Sequence, residues 1–215
     1  MQELKYTQQR INMIAKLVAN ELRQGKIAVI PTDTSYGIAA DATREETVLR
    51  VFQIKRRPLT KPVSIFVSSI KMIKEYFIIT DIVKKSLSLL PGKVTLILYP
   101  KNKDDFPKGI ISQEGKVGVR LPPHPLPPRI VEALGKPITA TSANISGKPP
   151  IYDAYEVKKE LPNIDILVNA GKLPKTPVST IIDIATTPPR ILRQGPVSRQ
   201  LVEKVLKTQV LIQNK

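Results

Sequence analysis

Short apolar segments alternate with amphipathic ones along nearly the whole sequence, and this alternation limits the possible folds more than any other feature. Residues 8–24 place apolar side chains on one helical face, and Gly25 follows as a stop signal. Short apolar stretches predict extended segments at KIAVIP, TSYGIAADA, PVSIFV, VTLILY, KVGVRL, PITAT, IDILVNAG and VSTIIDIA. Interleaved strands and helices predict an α/β fold with a mixed β-sheet.

Local signals predict where several helices begin and end. The run Thr43 to Glu46 matches a capping box that would start a helix reaching about Ile54, and Asp153 with Glu156 marks another start. Further helices are predicted over 69–77, 81–90, 130–134 and from about residue 198. Residues 100–115 are polar and irregular, which predicts a mobile loop. Without internal repeats, residues 1–215 are expected to form a single domain.

The residue types that are missing exclude several kinds of chemistry. The chain has no cysteine, which excludes disulfides, thiolate metal sites and a cysteine nucleophile. His124 is the single histidine and lies among prolines, so we expect a structural or surface role rather than a catalytic triad. Neither a P-loop nor a G-x-G-x-x-G string occurs. With no long apolar run and no signal-peptide pattern, we expect a cytoplasmic protein without a membrane span.

The net charge of +16 leaves two interpretations open: a surface that attracts polyanions, or a lysine-rich surface of the kind found in some heat-adapted proteins. The positions of the cations and hydroxyl groups in the sequence are more informative about a binding site than the net charge. Such groups recur near six predicted strand or helix ends: Thr34 in IPTDTSYG, Lys55 and Arg57 in KRRP, Arg120 in VGVRLP, Ser142 and Asn144 in TSANISG, Ser179 in VSTIID, and Arg193 in RILRQG. Each has an ordinary structural explanation alone, but together they predict one ligand cleft at the edge of the sheet.

Strand alternation adds a detail to this cleft. In KVGVRL, Val117 and Val119 share one face, and Gly118 and Arg120 share the other. An arginine in an apolar strand needs an anion or solvent. The small Gly118 beside it predicts room for a ligand.

The strings PTDTSYG, KRRPLTKP, PGKVTLIL, VGVRLPPHP, TSANISG, STIID and ILRQG stand in the order typical of the YrdC-type threonylcarbamoyl-AMP synthases, and the chain resembles that family over about residues 8–200. The resemblance implies a twisted mixed sheet with flanking helices and a large basic concave cavity. It also implies that L-threonine, bicarbonate and ATP react to threonylcarbamoyl-AMP and pyrophosphate, for threonylcarbamoyladenosine formation in tRNA. The implied partner is the downstream tRNA threonylcarbamoyl-transfer machinery, and the net charge of +16 leaves a direct contact with RNA open.

The same resemblance implies a role for each candidate residue. A catalytic role is implied for Lys55 and Arg57. Nucleotide binding is implied for Lys55, Arg57, Lys116, Ser142, Asn144 and Arg193. Threonine binding is implied for Thr34, Lys61, Arg120 and Ser179. Mg²⁺ is expected with ATP, although no carboxylate in the sequence is identified as its ligand.

Departures from the family pattern and competing hypotheses remain. Lys61 stands where the family often has Asn or His, and Lys93 and Gln194 replace common prolines. The main alternative is a non-catalytic module of the same fold that binds double-stranded RNA or tRNA. Aromatic residues make up only 5% of the chain, which argues against a single-strand RNA reader. A carbamoyl-transfer domain of the hydrogenase-maturation type would normally belong to a longer, cysteine-bearing chain.

Overall fold

A computed structural model describes residues 1–213, and these form one mixed β-sheet with helices packed against it. The sheet has eleven strands within the described residues: β1 Gln2–Lys5, β2 Ala28–Pro31, β3 Tyr36–Ala39, β4 Ser64–Phe66, β5 Val94–Leu98, β6 Val117–Arg120, β7 Ile138–Ser142, β8 Ile166–Asn169, β9 Thr180–Asp183, β10 Arg190–Arg193 and β11 Leu211–Ile212. Their order across the sheet is β1-β8-β2-β3-β7-β4-β6-β5-β9-β10-β11.

Parallel and antiparallel pairs occur in the same sheet, as the mixed pattern predicts. β2 and β3 form an antiparallel hairpin, and β7 runs antiparallel to both β3 and β4. β4 lies parallel to β6, and β5 lies parallel to β9. Strands far apart in the sequence therefore end side by side in the middle of the sheet.

The helices cover both faces of the sheet. They are α1 Ile11–Arg23, α2 Glu45–Lys55, α3 Ile70–Tyr76, α4 Asp81–Ser86, α5 Leu126–Leu134, α6 Ala154–Glu160 and α7 Arg199–Leu206. The buried face of α1 carries Ile14, Val18 and Leu22 and packs with α5 in one apolar cluster. Two further clusters are built around α2 with α6, and around α4 with α7. No helix within residues 1–213 is long and apolar enough to cross a membrane.

The predicted capping box at Thr43 is wrong, because a neighbouring aspartate takes its hydroxyl. Helix α2 begins at Glu45 after Arg44, and no side chain caps it. The hydroxyl and the backbone N–H of Thr43 both donate to Asp41 Oδ1, at 2.7 and 2.9 Å. The predicted cap at Asp153 is confirmed, since its carboxylate accepts from the backbone N–H of Tyr155.

Two other segments differ from the prediction. Helix α5 starts at Leu126 rather than Ile130, because prolines in a first helical turn lack only N–H groups that would have no partner there. Residues 100–115 are irregular, but they are anchored to the core by Phe106 and Ile110, both buried. A short 3₁₀ turn at Lys103–Asp105 also lies in this segment. The segment is polar on average, so its composition does not indicate that these two apolar residues are buried.

Candidate functional site

An open cleft lies over the middle of the sheet, where β3, β7, β4, β6, β5, β9 and β10 end or begin. It encloses about 890 Å³, counted out to its solvent-filled mouth. Six of the predicted site residues line this cleft: Thr34, Arg57, Arg120, Ser142, Ser179 and Arg193. The structure therefore brings six of the predicted residues, which span about 160 residues of sequence, together in one cleft.

Strand register explains this convergence. Ser142, at the end of β7, pairs with Gly37 of β3. Arg120, at the end of β6, pairs with Phe66 of β4. Ser179 immediately precedes β9, beside the start of β5. Each polar side chain thus reaches the cleft from the last residue of a strand or from the residue just before one.

Arg57 and Arg193 face the cleft with donors to spare. Arg57 donates from Nε to the Lys61 carbonyl oxygen at 2.6 Å and from Nη2 to the Pro62 carbonyl oxygen at 3.2 Å. Arg193 donates to the carbonyl and hydroxyl oxygens of Ser179. Burial lowers the pKa of each guanidinium, and Arg120 adds to the effect on Arg193. Since their partners are neutral and a guanidinium has five donors, both keep a full positive charge and free N–H groups.

Arg120 is held differently, because a carboxylate neutralises it. Its Nη2 donates to both oxygens of Asp33, at 3.1 and 3.0 Å. The guanidinium also lies over the ring of Phe66, 5.2 Å from its centroid. Its Nε is buried without a hydrogen-bond partner. Burial lowers the pKa of Arg120, while Asp33 acts in the opposite direction.

Hydroxyl groups line the floor of the cleft. The Ser179 and Thr95 hydroxyl oxygens are 2.9 Å apart, and both residues are buried. Across the cleft, the Thr32 hydroxyl donates to the Ser35 carbonyl oxygen and lies 3.2 Å from the Thr34 hydroxyl. These interactions match the Ser/Thr turn that is the ordinary explanation of this string. The Thr34 side chain nevertheless lines the cleft.

Lys55 lies behind the cleft wall rather than in it. Its side chain is only 2% exposed, and Nζ donates to the Ser142 carbonyl oxygen at 2.5 Å. Nζ also donates to the Asn144 carbonyl oxygen at 3.0 Å and to Asn144 Oδ1 at 3.2 Å. Burial, together with Arg57, lowers the pKa of Lys55 to about 7. Neither Lys55 nor Asn144 is among the residues that line the cleft.

Lys116 and Lys61 also lie outside the cleft. Lys116 lines a second, neighbouring cleft of about 1070 Å³, where Nζ contacts Asp183 Oδ2 at 3.0 Å and Glu114 Oε2 at 2.6 Å. Burial lowers the pKa of Lys116, but the two carboxylates outweigh burial and raise it overall. The Lys61 side chain is exposed, and only its backbone carbonyl oxygen reaches Arg57. Their predicted ligand contacts stay predictions.

The predicted alternation in β6 is confirmed, since Val117 and Val119 are buried in the core. The room expected over Gly118 is absent. A β-carbon at this position would lie 2.6 Å from Ser64 Oγ, so the glycine accommodates a side chain of the neighbouring strand. His124 has a structural role, accepting at Nδ1 from the backbone N–H of Leu126 at the start of α5.

Several residues that line the cleft, or pair with one that does, were assigned no role from the sequence; they include Asp33, Ser64, Phe66, Thr95 and Tyr152. Asp33 stands next to Thr34 in the first string, and its acidic side chain was the available signal. Thr95 and Phe66 lie inside apolar strands, where β-propensity alone explains them.

These features define an α/β protein whose polar strand ends form a cationic, hydroxyl-lined cleft. Residues 20–195 match the Sua5/YciO/YrdC family model, whose description is "Telomere recombination". The chain therefore belongs to the Sua5/YciO/YrdC family.

Named relatives and solved structures agree with this assignment. A threonylcarbamoyl-AMP synthase from Pyrococcus abyssi is 32% identical over 197 residues, covering 89% of this chain and 56% of the relative. A putative threonylcarbamoyl-AMP synthase from Methanocaldococcus jannaschii is 37% identical over 189 residues, covering 87% of this chain and 88% of the relative. The chain thus spans just over half the length of the first relative and most of the second.

Two of the similar solved structures contain bound ligands. The crystal structure of P. abyssi Sua5 complexed with L-threonine has a TM-score of 0.87 at 29% identity, covering 98% of this chain and 62% of that chain. Full-length HypF in its phosphate- and nucleotide-bound form has a TM-score of 0.73 at 26% identity, covering 84% of this chain and 29% of that chain.

Proposed function

We propose that this protein is a threonylcarbamoyl-AMP synthase that acts on L-threonine, bicarbonate and ATP. The observation that carries the proposal is the convergence of Arg57, Arg120 and Arg193 with the Ser142 and Ser179 hydroxyls on one cleft. The carboxylate of an amino acid and the phosphates of ATP are anionic groups, and arginine forks suit carboxylate and phosphate oxygens. Relatives that carry this enzyme's name and a structural neighbour complexed with L-threonine support the same substrates.

The chemistry requires positioning and charge neutralisation more than a strong base. The threonine amine and bicarbonate form a carbamate with loss of water, and a carbamate oxygen attacks the α-phosphorus of ATP. The new P–O bond forms as the bond to pyrophosphate breaks. Two anions must approach each other and a third must leave, so fixed cations stabilise the transition state. We assign this work on the phosphates to the free N–H groups of Arg57 and Arg193, which both line the cleft.

We assign the amino acid to the Arg120 side of the cleft. The Arg120 guanidinium has N–H donors beyond the two bonds that Nη2 makes to Asp33, and these suit the threonine carboxylate. Thr34 and Ser179 provide hydroxyls for the amino or hydroxyl group of threonine. Mg²⁺ would be held chiefly by the phosphates of ATP and by water, since hydroxyls rather than carboxylates line the cleft. It would neutralise charge on the departing pyrophosphate.

The test is pyrophosphate release by purified protein with ATP, bicarbonate and Mg²⁺, with and without L-threonine. We expect release to depend on threonine and to be about tenfold slower with serine, because a missing methyl group costs ~1–3 kcal/mol. Arg57→Ala should lower kcat/KM by about 10²–10³ while the unfolding transition is retained. Equal release with and without threonine would falsify the proposal. Binding of tRNA without turnover would favour the alternative of a non-catalytic module.

A further inference from the structure

The second cleft, which Lys116 lines, lies on the same face of the sheet as the main cleft. A row of paired residues crosses four strands beneath it: Gly118, Ile97, Asp183 and Arg190. Residues that pair across strands share one face of a sheet. Arg120 follows Gly118 by two residues on β6, so it points to the same side, about 7 Å further along the strand. The two clefts are therefore successive parts of one sheet face.

Lys116 is the buried cation of this second cleft, and its two acidic partners differ in exposure. The Asp183 side chain is 9% exposed and accepts from Nζ at 3.0 Å, which makes it a fixed counter-ion. The Glu114 side chain is 72% exposed. It reaches Nζ from a turn in which Gly115 has a φ of 75° and donates to the Ser112 carbonyl oxygen. Because exposed ion pairs contribute little to stability, the Glu114 carboxylate can leave without disturbing the core.

The charges that remain when Glu114 leaves favour one kind of ligand. Lys116 and Arg190 carry two positive charges and Asp183 one negative charge, so one positive charge is unbalanced. A monoanion balances this charge, whereas pyrophosphate brings an excess of negative charge. The Glu114 carboxylate also shows which shape fits beside Lys116, since it is a planar CO₂⁻ group. Ser112 Oγ accepts from the Lys116 backbone N–H at 3.1 Å, and its own hydrogen has no acceptor within residues 1–213.

We propose that the second cleft binds a planar monoanion of the carboxylate class beside Lys116, at the position that the Glu114 carboxylate occupies in this structure. The choice of ligand rests on the proposed function, whose substrates include one such anion, bicarbonate. Lys116 precedes Arg120 by four residues of extended chain, about 13 Å. The site therefore collects bicarbonate on its way to the main cleft and is not the place of reaction.

The first experiment follows the backbone amide signals of Gly115, Lys116 and Gly118 by NMR during titration with sodium formate or sodium bicarbonate, against sodium chloride at equal ionic strength. Both probes are planar monoanions. Glu114→Ala removes the internal carboxylate and should lower the Kd of each probe about threefold, since an exposed ion pair is a weak competitor. Asp104→Ala is the matched control, an exposed acid in the same segment. It should change either Kd by less than about 1.5-fold, because salt screens a charge outside the site.

Adding Arg190→Gln to Glu114→Ala should reverse the gain, because the unbalanced positive charge is then gone. Both residues are exposed, so these variants should keep the fold, which the same spectra report. Inorganic phosphate is the tetrahedral comparison. Three results would overturn the proposal: no saturable shift in Glu114→Ala, an equal gain in Asp104→Ala, or tighter binding of phosphate than of bicarbonate.

The second experiment measures the kinetics of threonine-dependent pyrophosphate release. Arg190→Gln should raise the KM for bicarbonate about threefold and leave the KM values for ATP and L-threonine within about 1.5-fold. Glu114→Ala should lower the KM for bicarbonate. An unchanged bicarbonate KM in both variants would overturn the bicarbonate assignment, and so would a change confined to product inhibition by pyrophosphate.

Failure of this inference is distinguishable from failure of the proposed function. The amide titration needs no turnover, so it stays valid if pyrophosphate release does not depend on threonine. Conversely, absence of anion binding beside Lys116 leaves the threonine dependence of pyrophosphate release unaffected.

Discussion

Two buried lysines at the edges of this cleft show how partner choice determines what a buried cation does. Lys55 has three neutral oxygen partners, whereas Lys116 lies between the carboxylates of Asp183 and Glu114. Burial lowers the pKa of Lys55 to about 7, but the carboxylates raise that of Lys116 above its usual value. The neutral partners of Lys55 do not offset the effect of burial on its pKa, whereas the acidic partners of Lys116 keep it protonated and balance its charge.

The same distinction separates the three arginines. Arg57 and Arg193 donate to carbonyl and hydroxyl oxygens and keep their charge, while Arg120 is paired with Asp33. The clustering of cations alone would have treated all five residues as equivalent anion-binding groups. Their partners divide them into two free cations, two neutralised ones, and one lysine that organises the backbone.

The largest expected effect is the loss of activity when Arg57 or Arg193, the two arginines without an acidic partner, is replaced. Arg57→Ala or Arg193→Ala should lower kcat/KM for pyrophosphate release by about 10²–10³, as for removal of one transition-state donor in other enzymes. Lys116→Met should cost less than about tenfold, because its charge is already balanced. Steady-state kinetics at saturating threonine measure both. An equal loss at Arg193 and Lys116 would contradict the division.

The next effect concerns stability at the neutralised lysine. Lys116→Met should lower the free energy of unfolding by about 3 kcal/mol, because Asp183 is then left buried without its cation. Urea unfolding measures the change. Adding Asp183→Asn should recover part of it, since the unpaired charge is removed. If the free energy of unfolding falls by less than about 1 kcal/mol, water in the second cleft must solvate the Asp183 carboxylate in the variant.

A smaller loss of stability is expected at the lysine with neutral partners. Lys55→Met should lower the free energy of unfolding by about 2 kcal/mol, since carbonyl oxygens lose hydrogen bonds but no charge is stranded. Side-by-side urea unfolding of Lys55→Met and Lys116→Met checks the order. The comparison fails if Lys55→Met is the more destabilising of the two.

The smallest effect is a dependence on pH. Lys55 has three donors only when protonated, and its pKa lies at about 7 through burial and the nearby Arg57. As pH rises through 7 the ammonium loses a proton and one hydrogen bond to the Ser142 turn. We therefore expect kcat/KM to fall modestly above pH 7, by less than about tenfold, and Lys55→Arg to lack this inflection. A wild-type inflection that persists in Lys55→Arg would assign it to another group.

Much of the fold could be predicted because its causes are local. The apolar face of α1, the burial of Val117 and Val119, and the aspartate cap of α6 all follow from spacing along a few residues. The failed capping box at Thr43 has a cause only two residues away, but the string alone did not show that Asp41 would capture its hydroxyl.

The sequence by itself determined the residue types, their positions at the ends of strands and the alternation that places Arg120 away from the core. Tertiary structure decided which oxygen each cation meets: Asn144 is 89 residues from Lys55, Asp33 is 87 from Arg120, and Asp183 is 67 from Lys116. The physical reason is that strand order and register set these meetings, and both depend on packing across the entire sheet. Charge at a strand end is local information. Its neutralisation depends largely on contacts between distant segments, although Glu114 lies only two residues from Lys116.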